Sequence, residues 1–197
     1  MDTTLKFYDE NAKEFASGTI DARFSEVQNK FLGYIPQGGY ILDFGCGAGR
    51  DTKFFTEAGY DICAIDASET LCKEASAYTG VAVKCMRFDE LSEVNVYDGI
   101  FACASLLHVP AAELPAIITK IRDAIKPGGI LYASLKYGDF EGERDGRFFH
   151  DMNEGSVTAL FDDIESFDII RMWQSHDVRR NKDAYWINVI VKKNRLF

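Results

Sequence analysis

The stretch Ile41-Leu42-Asp43-Phe44-Gly45-Cys46-Gly47-Ala48-Gly49-Arg50 joins a short apolar strand to a loop of three alternating glycines. Such glycines let the backbone turn tightly and approach a ligand where a side chain would clash. A helix predicted from Arg50 would direct its free N–H groups and positive dipole end at that ligand. A tight strand-to-helix turn without any ligand is the alternative for this loop taken alone.

Two side chains in this stretch indicate the kind of ligand. Arg50 occupies the third glycine position of the dinucleotide fingerprint G-x-G-x-x-G, which disfavours a nicotinamide cofactor. Asp43 would oppose a pyrophosphate, whereas it suits a ligand that carries a cationic ammonium group. The loop therefore favours a ligand with an amino-acid end over a dinucleotide.

Strand-like and helix-like segments alternate on both sides of this loop. This alternation predicts βαβ units and a parallel sheet covered on both faces, with ligands bound at the carboxyl ends of the strands. After Tyr137 a charged loop over residues 138–146 is predicted, and two β-rich segments then form a hairpin. The predicted strands are Tyr40–Phe44, Tyr60–Ile65, Val81–Met86, Tyr97–Ala104, Ile130–Leu135, Phe167–Trp173 and Tyr185–Val191; the predicted helices are Arg50–Ala58, Glu69–Thr79, one from near Ala111, and one near Glu154–Phe161.

Composition limits the classes of partner. A formal charge of −9 and a pI near 4.8 argue against a nucleic-acid partner, because phosphate binding depends on a basic surface. No apolar run is long enough to span a bilayer, and the polar start lacks the layout of a signal peptide, so a cytoplasmic protein without membrane contact is expected. Five cysteines without a C-x-x-C pair and three dispersed histidines predict buried reduced thiols and no metal site.

Acidic and polar residues follow the later strands at the same predicted edge. Asp66 ends the second strand, where a carboxylate can accept both hydroxyls of a ribose; helix N-capping, which Ser68 would serve equally well, is the alternative. Phe88 and Asp89 follow the third strand, where an acid can receive an adenine amine and the ring can flank the base; a plain polar loop is the alternative.

Taken together, these motifs resemble those of the class I S-adenosyl-L-methionine-dependent methyltransferases. The similarity covers about residues 35–136 and includes the glycine loop, the acidic end of strand two, the acidic loop after strand three, the segment Tyr97–His108 and the Lys126-Pro127-Gly128-Gly129 turn. It implies an α/β fold, a Rossmann-like three-layer sandwich whose seven-stranded, mostly parallel sheet has an antiparallel last strand. It also implies one domain over 1–197, with a helical lid (1–35), a cofactor-binding core (36–136) and an acceptor-side part (137–197).

The resemblance also implies roles for individual residues. The cofactor would be S-adenosyl-L-methionine, leaving as S-adenosyl-L-homocysteine. The implied contacts are Asp43, Gly45, Cys46, Gly47 and Gly49 with the methionine part, Asp66 and Ala67 with the ribose, Phe88 and Asp89 with the adenine, Ala104 and Ser105 with the methyl side, and Tyr8 of Phe7-Tyr8-Asp9 as a lid.

The acceptor is predicted less specifically. Methyl transfer from a sulfonium is an SN2 step that needs alignment and exclusion of water. His108 is a candidate base, with simple packing as the alternative. Lys136, Arg147 and Arg179 would form a cationic pocket for an anionic small acceptor, with surface salt bridges as the alternative.

The segments Ala102–Pro110 and 146–149 resemble a bacterial subgroup of tellurite-resistance-related, small-molecule methyltransferases. The NPPY-like tetrapeptide of enzymes that methylate nucleic-acid amines is missing after strand four, where Ser105-Leu106-Leu107-His108 stands instead. A small-molecule acceptor is therefore preferred. Methylation of RNA or protein, a binding module without transfer, and a NAD-dependent oxidoreductase are the competing hypotheses.

Overall fold

The structure, a computed structural model, describes residues 2–178 and 184–194. Two helices precede the sheet, and an α-helix then follows the first, second and fourth strands, as predicted, whereas only a 3-10 helix over Phe88–Glu90 lies between the third and fourth strands. The helices are α1 (Asp2–Thr19), α2 (Ser25–Leu32), α3 (Arg50–Glu57), α4 (Glu69–Thr79), α5 (Leu114–Ala124) and α6 (Glu154–Asp162); the strands are β1 (Tyr40–Phe44), β2 (Asp61–Asp66), β3 (Val83–Cys85), β4 (Tyr97–Cys103), β5 (Ile125–Lys136), β6 (Glu141–Arg144), β7 (Arg147–His150), β8 (Phe167–His176) and β9 (Tyr185–Lys193).

Seven strands form one sheet in the order β3-β2-β1-β4-β5-β9-β8. Strands β1 to β5 are parallel, and the last strand, β9, runs antiparallel to both β5 and β8. The predicted seven-stranded, mostly parallel sheet with an antiparallel last strand is therefore confirmed. The strand order reverses between β1 and β4, which places their following loops side by side at the edge where ligands of such sheets bind.

Neighbouring residues of each strand point to opposite faces of the sheet. Helices cover both faces, so the side chains on both are buried. Ile41 and Phe101 face α2 and α3, where Phe31 and Phe55 are fully buried. Leu42 on the opposite face belongs to a larger core whose other members include Ile117, Ile118 and Ile121 of α5 and Val157 and Phe161 of α6. Within residues 2–178 and 184–194, no helix is long and apolar enough to cross a membrane.

The charged segment after β5 is a β-hairpin and not the predicted loop. Strands β6 and β7 pair antiparallel, and Asp145 and Gly146 form their two-residue turn with φ of +53° and +74°. Asp-Gly is a strong sequence signal for a hairpin turn with two positive φ angles, so the sequence itself contained the signal for this element. Strand β5 also starts earlier than predicted, at Ile125, and its pairing with β4 is irregular between Tyr97 and Gly99.

The cysteines follow the prediction in part. All five are free thiols, and Cys46, Cys63 and Cys72 are buried as expected. Cys85, at the end of the edge strand β3, is exposed, and Cys103 is half-buried.

Candidate functional site

The glycine loop is held against the end of β2 and lies close to the loop after β4. The N–H groups of Gly45 and Cys46 both donate to the carbonyl of Ile65, at 3.0 and 2.9 Å. Gly45 has a φ of +80°, and a Cβ added there would lie 2.5 Å from the Cβ of Ser105. The backbone conformation and the close approach of Ser105 therefore both require glycine at this position.

Asp66 supports the same loop from the end of β2. Its carboxylate accepts hydrogen bonds from the N–H groups of Gly47 and Ser68, each at 2.9 Å. Burial raises the pKa of Asp66, while the hydrogen bonds from Ser68 and Gly47 act in the opposite direction. Ser68 is the N-cap of α4, where its hydroxyl accepts from the N–H of Leu71, so Asp66 is not the capping residue.

A cavity of about 230 Å³ lies between α1 and the carboxyl ends of β1, β2 and β4, and it extends towards β5 and the β8–β9 hairpin. Most of the predicted site residues share its wall. These are Tyr8, Gly45, Cys46, Gly47, Asp66, Ala67, Phe88, Ala104, Ser105 and His108. The far end of the wall is lined by Ser134, which the sequence did not single out, and by Trp186 and Asn188 of the predicted acceptor-side part (137–197).

Asp43 lies behind the glycine loop, in contrast to the prediction that its charge faces an ammonium group. The side chain is 1% exposed, and it accepts a 2.5 Å hydrogen bond from the hydroxyl of Thr52. Burial and the nearby Asp51 carboxylate raise the pKa of Asp43 to about 8. The raised pKa favours the neutral form of the carboxyl, and the side chain does not line the cavity.

The ion pair that does line the cavity is formed by Arg50 and Asp51 at the start of α3. Arg50 Nη2 lies 2.7 Å from Asp51 Oδ2, and the guanidinium also contacts Cys103 Sγ at 3.4 Å and the ring of Phe24. Asp51 also accepts a 2.6 Å hydrogen bond from Gln28 Nε2. Sequence reasoning used Arg50 only to exclude a dinucleotide; its position directly after the glycine loop was the available signal for a contact.

Phe88 and Asp89 separate at the end of β3. The ring of Phe88 stacks on Phe44 with ring centroids 4.3 Å apart and lines the cavity. Asp89 is exposed, and its carboxylate lies 3.2 Å from Arg87 Nε. Arg87 lines the cavity whereas Asp89 does not, so the adenine contact predicted for Asp89 stays a prediction.

Tyr8 and His108 meet on the cavity wall. The Tyr8 hydroxyl lies 2.9 Å from His108 Nε2, and His108 Nδ1 lies 2.6 Å from the carbonyl oxygen of Phe148. Burial lowers the pKa of His108 to about 4; the hydrogen bond to Phe148 opposes this change and the charge of Arg147 adds to it. The imidazole is therefore neutral at working pH.

The predicted cationic pocket forms only in part. Lys136 and Arg147 both lie over the ring of Phe149, at 5.6 and 5.0 Å from its centroid, but neither lines the cavity. Arg144, which the sequence analysis did not select, lies over the same ring and pairs with Asp151 at 2.9 Å. Arg179 lies outside the described residues. An acceptor role for Lys136, Arg147 and Arg179 stays a prediction.

The raised pKa of Asp43 predicts a distinct pH dependence of stability. A carboxyl whose pKa is higher in the folded than in the unfolded chain stabilises the fold at low pH and loses this effect as pH rises through about 8. We expect Asp43→Asn to melt at a higher temperature than the wild type at pH 9 and to lose this advantage at pH 5, as measured by circular dichroism. Asp61→Asn, at an exposed position on β2, is the control and should show equal differences at both pH values.

Proteins of known sequence that are similar to this chain include methyltransferases. Residues 41–129 match the model of a methyltransferase domain family. An uncharacterized methyltransferase of Geobacillus thermodenitrificans is 28% identical over 77% of this chain and 72% of its own length. A ubiquinone biosynthesis O-methyltransferase of Bordetella avium is 30% identical over 50% of this chain. The chain spans only 35–43% of the length of three of the curated relatives that it matches.

Solved structures show the same fold at low identity. A SAM-dependent methyltransferase of Methanosarcina mazei superposes with a TM-score of 0.73 at 19% identity, over 84% of this chain and 97% of the other. The 1,6-didemethyltoxoflavin-N1-methyltransferase of Burkholderia thailandensis, with its substrate and S-adenosylhomocysteine bound, gives 0.75 at 20% identity, over 96% and 85%. The fold is thus that of known SAM-dependent methyltransferases, and the segment that carries the glycine loop matches the methyltransferase domain family.

Proposed function

We propose that this protein transfers the methyl group of S-adenosyl-L-methionine to a small-molecule acceptor by an SN2 reaction. The observation that carries the proposal is one continuous cavity that joins the glycine loop, Asp66 and Phe88 and continues past Ala104 towards Trp186. A methyl donor beside the glycine loop and an acceptor beside Trp186 would lie next to each other under α1. Alignment and exclusion of water are the main requirements of methyl transfer from a sulfonium.

The cofactor would lie with its adenosine at the β2–β3 end of the cavity. Asp66 would accept the ribose hydroxyls beside Ala67, and Phe88 would flank the adenine. The zwitterionic methionine end would meet the glycine-loop backbone and the Arg50–Asp51 pair, which offers one positive and one negative group on the wall. This pair would take the role predicted for Asp43, which is buried behind the glycine loop and whose pKa is raised.

A small acceptor is supported by charge and by the relatives. The net charge of −9 disfavours a long phosphate backbone. The Bordetella relative is named for ubiquinone biosynthesis, and the Burkholderia structure holds a small heterocyclic substrate. Transfer to RNA or protein, or cofactor binding without transfer, are the alternatives; an oxidoreductase is disfavoured by Arg50 at the third glycine position. A tellurite-resistance-related subgroup remains a resemblance of two short segments.

Calorimetric titration tests the donor, and isotope transfer tests the acceptor class. We expect S-adenosylmethionine and S-adenosylhomocysteine to bind and NAD not to bind; the reverse pattern would refute the proposal. Tritiated methyl groups offered with a cell extract should appear in the small-molecule fraction. Label in the RNA or protein fraction would move the acceptor to those classes, and cofactor binding without label in any fraction would indicate a binding module.

A further inference from the structure

The two arginines of the β6–β7 hairpin stand opposite each other on one face of this small sheet. Arg144 and Arg147 are directly paired across the ladder, next to its turn. Side chains of directly paired residues point to the same face, so two like charges lie beside each other, which is unfavourable unless an anion balances them. The alternation of side chains along β7 places the ring of Phe149 on the same face.

A third cation joins this pair from the main sheet. Lys136 ends β5, and its Nζ lies 5.6 Å from the centroid of the Phe149 ring. The guanidinium carbons of Arg144 and Arg147 lie 4.5 and 5.0 Å from the same centroid. Three positive charges are therefore gathered around one ring, in a protein whose net charge is −9.

The acidic side chains nearby balance only part of this charge. Among the residues that the structure describes, Asp151 is the only acid in ion-pair contact with the cluster, and its partner is Arg144. Lys136 and Arg147 form no ion pair with any described residue. Burial and the charge of Arg144 lower the pKa of Lys136, and the charge of Arg147 adds to this, while Asp151 and Asp145 oppose it. The cluster thus keeps an excess of positive charge.

The arginines also hold hydrogen-bond donors that no described residue accepts. The Nε atoms of Arg144 and Arg147 are buried and have no hydrogen-bond partner within residues 2–178 and 184–194. Buried donors of this kind are rare in folded proteins, and a bound ion is one of the explanations for them. Arg147 lies over the rings of Phe7 and Phe149, at 4.5 and 5.0 Å. A ring interacts with the face of a guanidinium, so the N–H groups in its plane stay available to an oxygen.

We propose that Lys136, Arg144 and Arg147 form a binding site for a tetrahedral oxyanion, such as a phosphate group. The oxygens of such a group can accept hydrogen bonds from several cations at once, and guanidinium groups make strong bidentate contacts with phosphate. A carboxylate has only two oxygens, and Arg144 already occupies both oxygens of Asp151. None of the three cations lines the cavity, so the anion lies outside the space proposed for the methyl donor.

An anion at this position would join three parts of the fold. Lys136 belongs to β5 of the main sheet, and Arg147 belongs to the hairpin and lies over Phe7 and Tyr8 of α1. An anion that both cations hold therefore ties the hairpin to the sheet at the place where α1 packs on it. Such a ligand binds the native chain alone and raises its stability by mass action.

Calorimetric titration with inorganic phosphate at pH 7 and constant ionic strength tests the site on the protein without cofactor, so the result does not depend on the proposed function. We expect a single saturable site that binds phosphate at least about tenfold more tightly than acetate. The unfolding temperature should rise with phosphate and not with chloride at equal ionic strength. Absence of saturable binding, or equal binding of acetate, would overturn the proposal.

Glycerol phosphate, a phosphate monoester, distinguishes the two sources of the anion. Tighter binding of the monoester than of inorganic phosphate would support a site for the phosphate group of a larger molecule. Tighter binding of inorganic phosphate would support a site for the free ion.

Three variants locate the bound anion. Lys136→Gln and Arg147→Gln each remove one unpaired cation and should weaken phosphate binding by at least about tenfold. Arg147→Lys keeps the charge without the planar fork and should weaken it less than Arg147→Gln, which also provides a folded variant at this position if glutamine disturbs the packing. The thermal shift caused by phosphate should shrink in the same order.

Lys84→Gln is the matched control, because it removes one positive charge from an exposed position on the edge strand β3, away from the cluster. Its phosphate affinity should stay within twofold of wild type. Equal losses in Lys84→Gln and the cluster variants would show a response to net charge alone, and phosphate binding that survives Lys136→Gln and Arg147→Gln would show an adventitious ion only. Either result would overturn the proposal.

Discussion

Replacing Gly45 with alanine is expected to lower the affinity for S-adenosylhomocysteine by at least 100-fold. The new Cβ would lie 2.5 Å from the Cβ of Ser105 and 3.1 Å from the ring of Phe88, at a φ of +80°. Either the glycine loop or the loop after β4 must move, and both line the cavity. Overpacking of this kind costs about 1–3 kcal/mol, in addition to about 1–2 kcal/mol for a left-handed non-glycine residue.

Gly80→Ala is the matched control. Gly80 ends α4 with a φ of +75°, and a Cβ added there meets no atom within 4 Å. It therefore carries the same backbone strain as Gly45→Ala without the clash. We expect both variants to be destabilised in urea, Gly45→Ala by the larger amount, and only Gly45→Ala to lose ligand binding by calorimetry. Equal losses of stability with unchanged binding would show that the loop adapts and that the close approach to Ser105 is unimportant.

The elements that the sequence predicted well are those set by local pattern. The glycine loop, the end of β2 at Asp66 and the position of Phe88 after β3 depend on apolar runs, glycines and the order of segments along the chain, whereas the antiparallel last strand was implied by the resemblance to methyltransferases. Residues at the carboxyl ends of parallel strands meet at one edge whatever the detailed packing is. This is why most of the predicted contacts do line one cavity.

The features that the sequence did not predict depend on tertiary packing. The position of Asp43 just before the glycine loop predicted a contact with the ligand. In the structure its side chain is directed to the Thr52 hydroxyl, and burial and the nearby Asp51 raise its pKa. The Tyr8–His108 contact joins residues 100 positions apart, through a helix whose placement no periodicity specifies. Burial and side-chain direction depend on the tertiary structure. Residue types alone therefore predicted a role for Asp43 but neither its burial nor its raised pKa.

Asp66→Asn is expected to weaken the binding of S-adenosylhomocysteine by at least tenfold. Each carboxylate oxygen of Asp66 has one backbone donor, Gly47 N–H or Ser68 N–H, and an asparagine amide would turn an NH₂ group towards one of them. Hydrogen bonds to a charged acceptor contribute about 1.5–3 kcal/mol each, and 1.4 kcal/mol is a factor of ten in affinity. The loss would combine disturbance of the glycine loop with loss of an acceptor for the ribose, and calorimetry measures the sum.

A double-mutant cycle with a ligand that lacks the 2′-hydroxyl separates these two contributions. If Asp66 binds the ribose, the wild type should bind the 2′-deoxy analogue about tenfold more weakly than it binds S-adenosylhomocysteine. The Asp66→Asn variant should bind the two ligands with equal affinity. Equal penalties in both proteins would assign Asp66 to loop support alone. Asp89→Asn, in the loop after the neighbouring strand β3, is the control. Because Asp89 is exposed and paired with Arg87, its replacement should change affinity by less than twofold. A tenfold loss there would support the adenine contact predicted from the sequence and would require the Arg87–Asp89 pair to open when the ligand binds.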